Sequence, residues 1–461
     1  MEPSILLPAK WAEQEFGGAA LGDSRRGQRL IMVASALAEH PSGTLATAIP
    51  DASDLMGAYR LFWNEEITHE KIIEPHCRRT HEACRAPGHY LLIEDSVSLN
   101  FASRHEVEGM GWMGDGDPGL TVHNNLAVRI EEWDEEGKPG ITIVGLVGQE
   151  WWTRTEPPKR GKEKKAERLS RRRESERWGR QAMRLGKCTP GVRWSLVCDR
   201  EGDIYEVFGR CGRIGADFLI RSKEPRAVLG EKGSIHEHVA AAPLLGTMTV
   251  DLRARPGMHA RTAVLELRSV KSTLRPPWRP KVRLQPQEVS VIEAKEVGAP
   301  EGCEPIHWIL LTDWKCENFE DARRAVRTYS RRWIIEEFHK GMKTGAGVEK
   351  IQLGTLRQIT AYMGLLSVLA TRLVAMRLLA TTRPDDPVPA EHLESEVFEI
   401  LEAKFGAPKG SWTNLRFLIA VARLGGFLAR KSDGCPGWIT LWRGWMKLLN
   451  MVEGVRLLRG P

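Results

Sequence analysis

The strongest constraint on how this sequence folds is a succession of β-strand patterns between residues 90 and 221. Each is a short apolar or alternating run next to polar or turn-forming residues, which is typical of strands. The predicted strands are residues 90–99, 120–128, 140–147, 194–199 and 217–221. A helical pattern at Ile204–Arg210 separates the last two, and a stretch rich in helix formers, ending at Leu185, separates the third from the fourth. The order is therefore β-β-β-α-β-α-β, which predicts an α/β fold.

A second group of predicted strands follows, in an insertion at about residues 227–312. These strands are residues 247–252, 262–267, 289–292 and 308–311. A long helix is predicted to begin at Asn318 and to reach Lys343. We therefore expect three regions: a helical N-terminal domain over residues 1–68, an α/β domain over residues 69–375, and a helical C-terminal region over residues 376–461.

The positive charge of the chain is concentrated in one segment. The full sequence has 67 Lys+Arg and 60 Asp+Glu, a net charge of +7. Lys159–Arg184 alone contains 12 Lys+Arg and 4 Asp+Glu, a local net charge of +8. The rest of the chain therefore has a net charge of −1, the difference between +7 and +8. This pattern predicts one sequence-independent contact with phosphates rather than a uniformly basic surface.

Neither secretion nor membrane insertion is expected. The N-terminus does not show a basic segment followed by an apolar one, as a signal peptide would. The most apolar stretch, Ala361–Ala380, is interrupted by Arg372 and Arg377, which favours a buried core helix over a membrane span. Eight scattered cysteines without a C-x-x-C pair are typical of a reducing cytosol. We therefore expect a cytoplasmic protein without a membrane partner.

One segment near the end of the α/β region carries polar side chains at helical spacing. At about 100° per residue, one stripe of an ideal helix contains Tyr329, Arg332, Glu336, Lys340 and Lys343. Basic side chains beside an acid suit the binding of phosphates next to a reacting centre. The alternative is a solvated helix whose charges pair four residues apart, and the segment alone leaves both interpretations open.

Three acids from separate segments are candidates for one site. Asp95 lies in the first predicted strand, Asp199 ends the fourth, and Glu336 lies on the helical stripe. Two strand acids and a helix acid can hold a pair of divalent cations, which prefer oxygen ligands. Such a pair activates the attacking oxygen and stabilises the leaving oxygen of a phosphodiester.

These motifs resemble a known family. The similarity is carried by Asp95 in Ile-Glu-Asp-Ser-Val-Ser, by Asp199 in Val-Cys-Asp-Arg-Glu-Gly-Asp-Ile, and by the spacing Y-x2-R-x3-E-x6-K that begins at Tyr329. Together they are similar to the D, D and Y-R-E-K signature of the DDE transposases of bacterial insertion sequences, in the IS-four family that includes the Tn-five transposase. Further similar stretches are Ala20–Arg26, Gly57–Arg60, Glu150–Trp152, Arg221–Arg226 and Ala422–Phe427.

The resemblance implies a fold and a metal site. The fold would be an RNase H-like (retroviral-integrase-like) catalytic core with an inserted β-rich subdomain, flanked by helical N- and C-terminal regions. Residues 1–68 would bind transposon ends, and residues 376–461 would mediate dimerisation. At the matching positions, Asp95, Asp199 and Glu336 would be the catalytic residues and the ligands of Mg²⁺ or Mn²⁺, two ions per active site.

The resemblance also implies DNA contacts around the acids. Tyr329, Arg332 and Lys343 would hold DNA near the cleaved end. Trp308 falls where the family has an aromatic residue that receives a flipped base, and its alternative role is that of a core residue of a strand. Further candidate contacts are Lys340, His339, Arg200, Trp333, Arg221 and Lys223.

Three arginines near the N-terminus are candidates for contacts with the transposon end. Arg25, Arg26 and Arg29 begin a predicted helix for which Asp23 is a suitable N-cap. From this motif alone, a solvated helix face is the favoured interpretation. The family resemblance reverses that preference and assigns the three side chains to DNA.

The expected function is cut-and-paste DNA transposition in the bacterial cytoplasm, at the nucleoid. A homodimer in a synaptic complex would bind double-stranded DNA, both the transposon-end inverted repeats and the target. Metal-dependent hydrolysis and hairpin formation would free the ends, and their 3′-hydroxyls would join target DNA. Two alternatives remain: a catalytically silent DNA-binding regulator or inhibitor of transposition, and an RNase H-like nuclease or resolvase without strand transfer.

Overall fold

A computed structural model describes residues 8–40, 44–103, 107–113, 117–134, 137–154, 174–252, 261–279, 283–388, 393, 395–430 and 433–459. Most of the predicted basic segment, residues 159–173, lies outside these ranges. Within the described ranges, a large central sheet lies between helical N-terminal and C-terminal parts. This arrangement confirms the expectation of a mixed α/β protein with helical ends.

The N-terminal part consists of five helices that pack their apolar faces together. Their bounds are α1, Pro8–Phe16; α2, Ser24–Glu39; α3, Leu45–Ala48; α4, Ala52–Trp63; and α5, His69–Ala83. Asp23 caps α2 as predicted, because its carboxylate accepts a hydrogen bond from the backbone N–H of Arg25 over 2.8 Å. Trp11, Phe16 and Leu30 are buried where α1 and α2 meet the rest of the core.

A nine-stranded mixed sheet forms the centre, in the order β3-β2-β1-β4-β5-β9-β8-β7-β6. The strands are β1, Gly88–Asn100; β2, Gly119–Trp133; β3, Pro139–Trp152; β4, Val192–Cys198; β5, Asp217–Arg221; β6, Leu244–Leu252; β7, Arg261–Leu274; β8, Gln287–Val297; and β9, His307–Thr312. β1 runs antiparallel to β2 and parallel to β4, and β4 runs parallel to β5. Every predicted strand is present, so the strand prediction is confirmed.

The inserted strands extend this sheet rather than forming a sheet of their own. β9 pairs antiparallel with β5, with Ile220 opposite Leu311, and β8, β7 and β6 continue outward from β9. Two helices accompany this half of the sheet: α6, Tyr205–Ile214, and α7, Ile235–Ala241. The strands of the predicted insertion thus continue the central sheet, because the chain departs after β5 and β9 returns to pair with that same strand.

The helix predicted from Asn318 to Lys343 is interrupted twice, so that prediction is wrong in detail. The segments are α8, Phe319–Ser330; a 3-10 turn, Arg331–Trp333; α9, Ile334–Lys340; and a π-helical turn, Gly341–Gly345. A 3-10 turn is tighter than an α-helix and a π turn is wider, so the rotation per residue is not constant along this segment. Gly341 allows the close approach of a neighbouring helix, since a Cβ there would lie 2.9 Å from Cγ2 of Val374.

The most apolar helix is α10, Leu356–Thr382. It is long and apolar enough to cross a membrane, but 78% of its most apolar stretch is buried inside the protein. Its low amphipathicity follows from this burial, because a helix surrounded by other elements is apolar on all sides. The prediction of a buried core helix at Ala361–Ala380 is therefore confirmed.

Three helices after α10 form a smaller apolar core. Their bounds are α11, Ser395–Phe405; α12, Asn414–Leu424; and α13, Trp438–Arg459. The backbones of α12 and α13 touch at two glycines. A Cβ on Gly425 would lie 1.8 Å from the carbonyl oxygen of Thr440, and a Cβ on Gly444 would lie 1.8 Å from that of Val421. Only glycine permits this separation, so the two positions fix how α12 and α13 pack.

Candidate active site

The three acids expected to share a site lie at neighbouring places in the fold. Asp95 is on β1, Asp199 directly follows β4, and Glu336 is on α9. β1 and β4 are adjacent and parallel, with Glu94 beside Cys198, so Asp95 and Asp199 are one residue further along each chain. Side chains at matching positions of adjacent strands point to the same face of a sheet. The topology therefore brings together two acids that are far apart in sequence.

Arg332 joins two of the acids. Its Nη1 lies 3.3 Å from Oδ2 of Asp95, and its Nη2 donates a hydrogen bond to Oε1 of Glu336 over 2.7 Å. The Arg332 side chain is only 13% exposed, so solvent screens these contacts weakly. The helix-borne acid and the strand-borne acid are thus held by one buried guanidinium.

The positive charge of Arg332 does not fully offset the burial of Asp95 and its repulsion from Asp199. Burial raises the pKa of the Asp95 carboxyl to about 7, and the carboxylate of Asp199 adds to the rise, while Arg332 opposes it. Burial by itself lowers the pKa of the Arg332 guanidinium, but Tyr329, Asp95 and Glu336 reverse this effect and raise it. An additional positive charge would therefore stabilise the ionised form of Asp95.

These oxygen donors fit divalent cations such as Mg²⁺ or Mn²⁺, which bind carboxylates and relieve repulsion between them. In their present arrangement, no group of three or more His, Cys, Asp or Glu side chains among the described residues has the spacing of a metal site. The Arg332 guanidinium contacts both Asp95 and Glu336. Joint binding of a cation by these two acids would therefore require Arg332 to turn away.

An aromatic pair lies beside this cluster. Tyr329, at the end of α8, is buried, and its ring meets that of Trp308 on β9 edge to face at 5.3 Å between centroids. Burial raises the pKa of the Tyr329 hydroxyl to about 12, against the lowering effect of nearby Arg332 and Arg221. Trp308 is half-buried, so part of its ring is open to a stacking partner.

Arg221, Arg200 and Lys223 lie at the same edge of the sheet. Arg221 ends β5 and donates a hydrogen bond from Nη2 to the carbonyl oxygen of His307 over 3.0 Å. Burial lowers the pKa of the Arg221 guanidinium, and Arg200 and Arg332 add to the lowering. Arg200 and Lys223 are exposed. These three basic residues are placed so that they can reach a polyanion at this edge.

Lys340 and Lys343 pair with acids other than Glu336. Lys340 Nζ lies 3.2 Å from Oε1 of Glu337 and 5.6 Å from the centroid of the Trp333 ring. Lys343 lies in the π turn, where its Nζ is 3.2 Å from Oε1 of Glu349. Of the five residues predicted to share a stripe, Arg332 and Glu336 are in direct contact, and the two lysines make ion pairs elsewhere.

His339 was expected to contact DNA, but its position argues against this role. Its side chain is 8% exposed, and Asn124 on β2 donates a hydrogen bond from Nδ2 to its Nε2 over 3.1 Å. Burial lowers the pKa of the His339 imidazole to about 3, and Lys343 and Arg332 add to this effect. The neutral ring belongs to the interior beneath Glu336.

Sequence reasoning missed the polar network to which His339 belongs. Asn124 lies opposite Asp95 in the β1–β2 ladder, and its Oδ1 accepts a hydrogen bond from Nε2 of Gln149 over 2.6 Å. Oε1 of Gln149 in turn lies 2.8 Å from Nε2 of His69 on α5. The available signal was the run His123-Asn124-Asn125 inside a strand that is otherwise apolar and buried.

The three N-terminal arginines lie at the start of α2, and each is paired with an acid. Nη2 of Arg25 lies 2.8 Å from Oδ2 of Asp23, and Nη1 of Arg29 lies 2.6 Å from Oδ1 of Asp54. Arg26 pairs with Glu66. The Arg25 side chain is 86% exposed, which leaves it accessible to DNA.

Part of the basic segment is predicted to be helical, and only its end lies within the described residues. Its described residues form 3-10 turns at Glu174–Arg177 and Ala182–Leu185. Gly179 lies between them with a φ of +71°, which ends any right-handed helix. The backbone N–H of Gly179 donates to Oε2 of buried Glu94 over 2.6 Å, so this turn is anchored to β1.

Comparison with protein families identifies both ends of the chain. A family described as Transposase DNA-binding matches residues 8–67, which contain α1 to α4. A second family, described as Transposase Tn5 dimerisation domain, matches residues 371–460, from within α10 to the end of α13. The class indicated is thus a DNA-binding, dimerising transposase. Within that class, the two matches support a Tn5-like transposase.

Proposed function

We propose that the protein is a cut-and-paste DNA transposase of the IS-four DDE family. The observation that carries the proposal is the buried Arg332, which joins Asp95 and Glu336 next to the strand that positions Asp199. This cluster lies between an N-terminal match to transposase DNA-binding domains and a C-terminal match to a transposase dimerisation domain.

The order of the central strands supports an RNase H-like core within this proposal. β3, β2 and β1 form an antiparallel unit, and β4 and β5 continue from β1 as parallel neighbours. Asp95 and Asp199 lie on and just after adjacent parallel strands of this unit. An acid on a following helix would complete such a site, and α9 supplies Glu336.

Asp95, Asp199 and Glu336 would hold Mg²⁺ or Mn²⁺, two ions per active site. When bound, such ions supply an activated water or hydroxyl and stabilise the leaving oxygen of the scissile phosphodiester. Once freed from Asp95 and Glu336, Arg332 would donate hydrogen bonds to a phosphate beside the reacting bond. Trp308 would stack against an extruded base next to Tyr329, a contact that contributes roughly 1–3 kcal/mol in other proteins.

The reaction would proceed as a series of in-line phosphoryl transfers without a covalent enzyme intermediate. Water would first cleave the P–O bond at the transposon end and release a 3′-hydroxyl. That hydroxyl would attack a phosphodiester of the opposite strand, which closes a hairpin and releases the flanking DNA with its own 3′-hydroxyl as the leaving group. A second water would then open the hairpin and restore the 3′-hydroxyl of the transposon end. The freed 3′-hydroxyls would then attack target DNA in a homodimeric synaptic complex. This chemistry would take place in the bacterial cytoplasm, on nucleoid DNA.

The proposal is tested with Asp95→Asn, Asp199→Asn and Glu336→Gln, on DNA that carries the terminal inverted repeats of the element. We expect each variant to lose metal-dependent cleavage and to keep its affinity for the ends. Glu288→Gln is the matched control, because Glu288 is an exposed acid on β8 that pairs with Lys271. This variant should cleave as the wild type does.

The outcomes separate this proposal from its alternatives. Cleavage at the wild-type rate by any of the three variants would contradict the assignment. Binding of ends by the wild type without cleavage would favour a catalytically silent regulator. Metal-dependent cleavage without joining of 3′-ends to a target plasmid would favour an RNase H-like nuclease or resolvase.

A further inference from the structure

Glu337 connects the helix that carries Glu336 to two other helices. Its Oε2 accepts a hydrogen bond from the indole Nε1 of Trp438, on α13, over 3.1 Å. The same oxygen pairs with Nη1 of Arg377 on α10. The side chains of Glu337 and Arg377 are 14% and 15% exposed, so this contact is largely shielded from solvent. Three helices therefore meet at one carboxylate.

Trp438 is the point at which the C-terminal helices enter the main core. Most buried apolar residues of α11, α12 and α13 pack in a separate cluster of their own. Among the described residues after Leu378, only Trp438 joins the main apolar core. The guanidinium carbon of Arg377 lies 4.9 Å from the Trp438 ring centroid, and a Cβ on Gly345 would lie 3.7 Å from the indole. Trp438 thus contacts the π turn as well as Glu337.

The helix between these contacts has little to hold it in place by itself. α9 is seven residues long and lies between a 3-10 turn and a π turn. A helix this short depends on tertiary packing for its orientation. Because Glu336 and Glu337 are consecutive, any rotation of the helix that moves one carboxylate also moves the other.

We propose that Glu337 is a positioning residue. Its contacts with Arg377 and Trp438 couple the packing of the C-terminal dimerisation region against α9 to the placement of Glu336. The inference rests on the proposed function for the role of Glu336. It adds a route by which a segment assigned to dimerisation affects the chemistry. A dimer in which Trp438 does not contact Glu337 would bind transposon ends but would cleave them slowly.

The test removes the indole N–H with Trp438→Phe, which keeps an aromatic ring. The matched control is Trp445→Phe in the same helix, because Trp445 packs within the C-terminal core. Single-turnover cleavage is measured on preassembled complexes, together with end affinity and dimer fraction. We expect Trp438→Phe to cleave roughly tenfold more slowly at unchanged affinity and dimer fraction, since small displacements of reacting groups cost this much or more. Trp445→Phe should stay within about twofold of the wild type.

A double-mutant cycle distinguishes positioning from general destabilisation. If Trp438 acts through Glu337, then Glu337→Ala combined with Trp438→Phe should cleave no more slowly than Glu337→Ala alone. Glu337→Gln keeps an acceptor for the indole and should recover part of the rate lost in Glu337→Ala. This comparison does not use Trp438→Phe, so it tests the inference even if that variant dimerises poorly. Rate losses that multiply independently, or a Trp438→Phe variant that cleaves at the wild-type rate, would overturn the inference.

A second readout does not require activity. Amide hydrogen exchange over residues 334–345 should accelerate in Trp438→Phe and remain unchanged in Trp445→Phe. If the wild type fails to cleave DNA while this difference is present, the proposed function fails and the linkage stands. If the wild type cleaves and the exchange of this segment is the same in both variants, the linkage is wrong and the function stands.

Discussion

Asn124 donates a hydrogen bond from its side-chain amide to Nε2 of His339 over 3.1 Å, inside the protein. Asn124 lies opposite Asp95 in the β1–β2 ladder, and His339 lies one turn after Glu336 on α9. This single bond therefore ties the strand beside one proposed ligand to the helix that carries another. It adds a second link between these two elements, besides the contacts of Arg332 with Asp95 and Glu336.

We expect His339→Ala to destabilise the protein without weakening its electrostatic attraction to DNA. Loss of the imidazole leaves the buried Asn124 amide without its acceptor, which costs about 1–3 kcal/mol, measurable by urea unfolding. Loss of a phosphate contact would instead reduce the slope of the logarithm of the binding constant against the logarithm of the salt concentration by about one. Lys340→Ala is the control, since Lys340 is 52% exposed and should lower the salt dependence. An equal reduction in both variants would restore the idea that His339 touches DNA.

Stability should fall in acid because of the same histidine. The pKa of His339 is about 3 in the folded protein and 6.5 ordinarily. Between pH 6.5 and pH 3 the unfolded chain binds a proton that the folded chain does not, so unfolding becomes easier as the pH decreases. The contribution of His339 is fully present above pH 6.5, and it changes by up to about 1.4 kcal/mol per pH unit below it. Urea unfolding of His339→Ala should show a shallower decline over this window; an unchanged slope would contradict the prediction.

Arg332→Ala should increase cation affinity while it decreases cleavage. Removal of the guanidinium leaves Asp95 and Glu336 without their shared positive partner, so Mn²⁺ should bind more tightly to the DNA-free protein by calorimetry. Cleavage should fall roughly 100-fold, as it does when a donor to a reacting centre is deleted. Arg323→Ala is the control, because Arg323 pairs with Glu320 on the surface of α8. Weaker Mn²⁺ binding by Arg332→Ala would show that Arg332 supports the cation rather than substituting for it.

Arg25→Ala should weaken binding to transposon ends and reduce the salt dependence of that binding by about one charge. The Arg25 side chain is 86% exposed at the start of α2, within the region that matches transposase DNA-binding domains. Arg78→Ala provides the comparison, because Arg78 pairs with Glu74 on α5 outside that region. Titration of labelled end DNA at several salt concentrations measures both variants. The same loss in both would indicate a non-specific effect of charge.

The strands could be predicted from the sequence because alternation and apolar runs depend on local burial alone. The contact between Arg332 and Glu336 could also be predicted, since residues four apart meet on a helix. The contact between Arg332 and Asp95 could not, because it spans 237 residues and depends on the order of strands. The grouping of both acids in one site rests on the chemistry of a two-cation site and on the resemblance to a family.

The remaining errors have a common physical origin. A helical stripe assumes a constant rotation per residue, and the turns at Arg331–Trp333 and Gly341–Gly345 break that assumption. His339 is assigned to DNA only through the family resemblance, while its burial depends on a partner in a distant strand. Periodicity cannot reveal such a partner.

Gly425→Ala should separate the C-terminal helices while the rest of the fold remains. The added methyl would overlap the carbonyl oxygen of Thr440, and the contact between α12 and α13 would have to open. We expect loss of the dimer in light scattering with binding to single ends retained. Gly454→Ala, on the same α13, is the control, because nothing lies within 4 Å of its added methyl. That change should leave the dimer intact and favour the helix by about 1 kcal/mol. A dimeric Gly425→Ala would contradict the packing described for α12 and α13.

The long interval between the proposed acids has a consequence for biosynthesis. Arg332 is added 237 positions after Asp95, and until then the nascent chain cannot make the contact between them. β9 must also emerge before β5 gains its outer neighbour. Contacts between such distant segments form late in folding. An emerging chain with its N-terminal helices already made would therefore lack the contacts that, under the proposed function, complete the cleavage site.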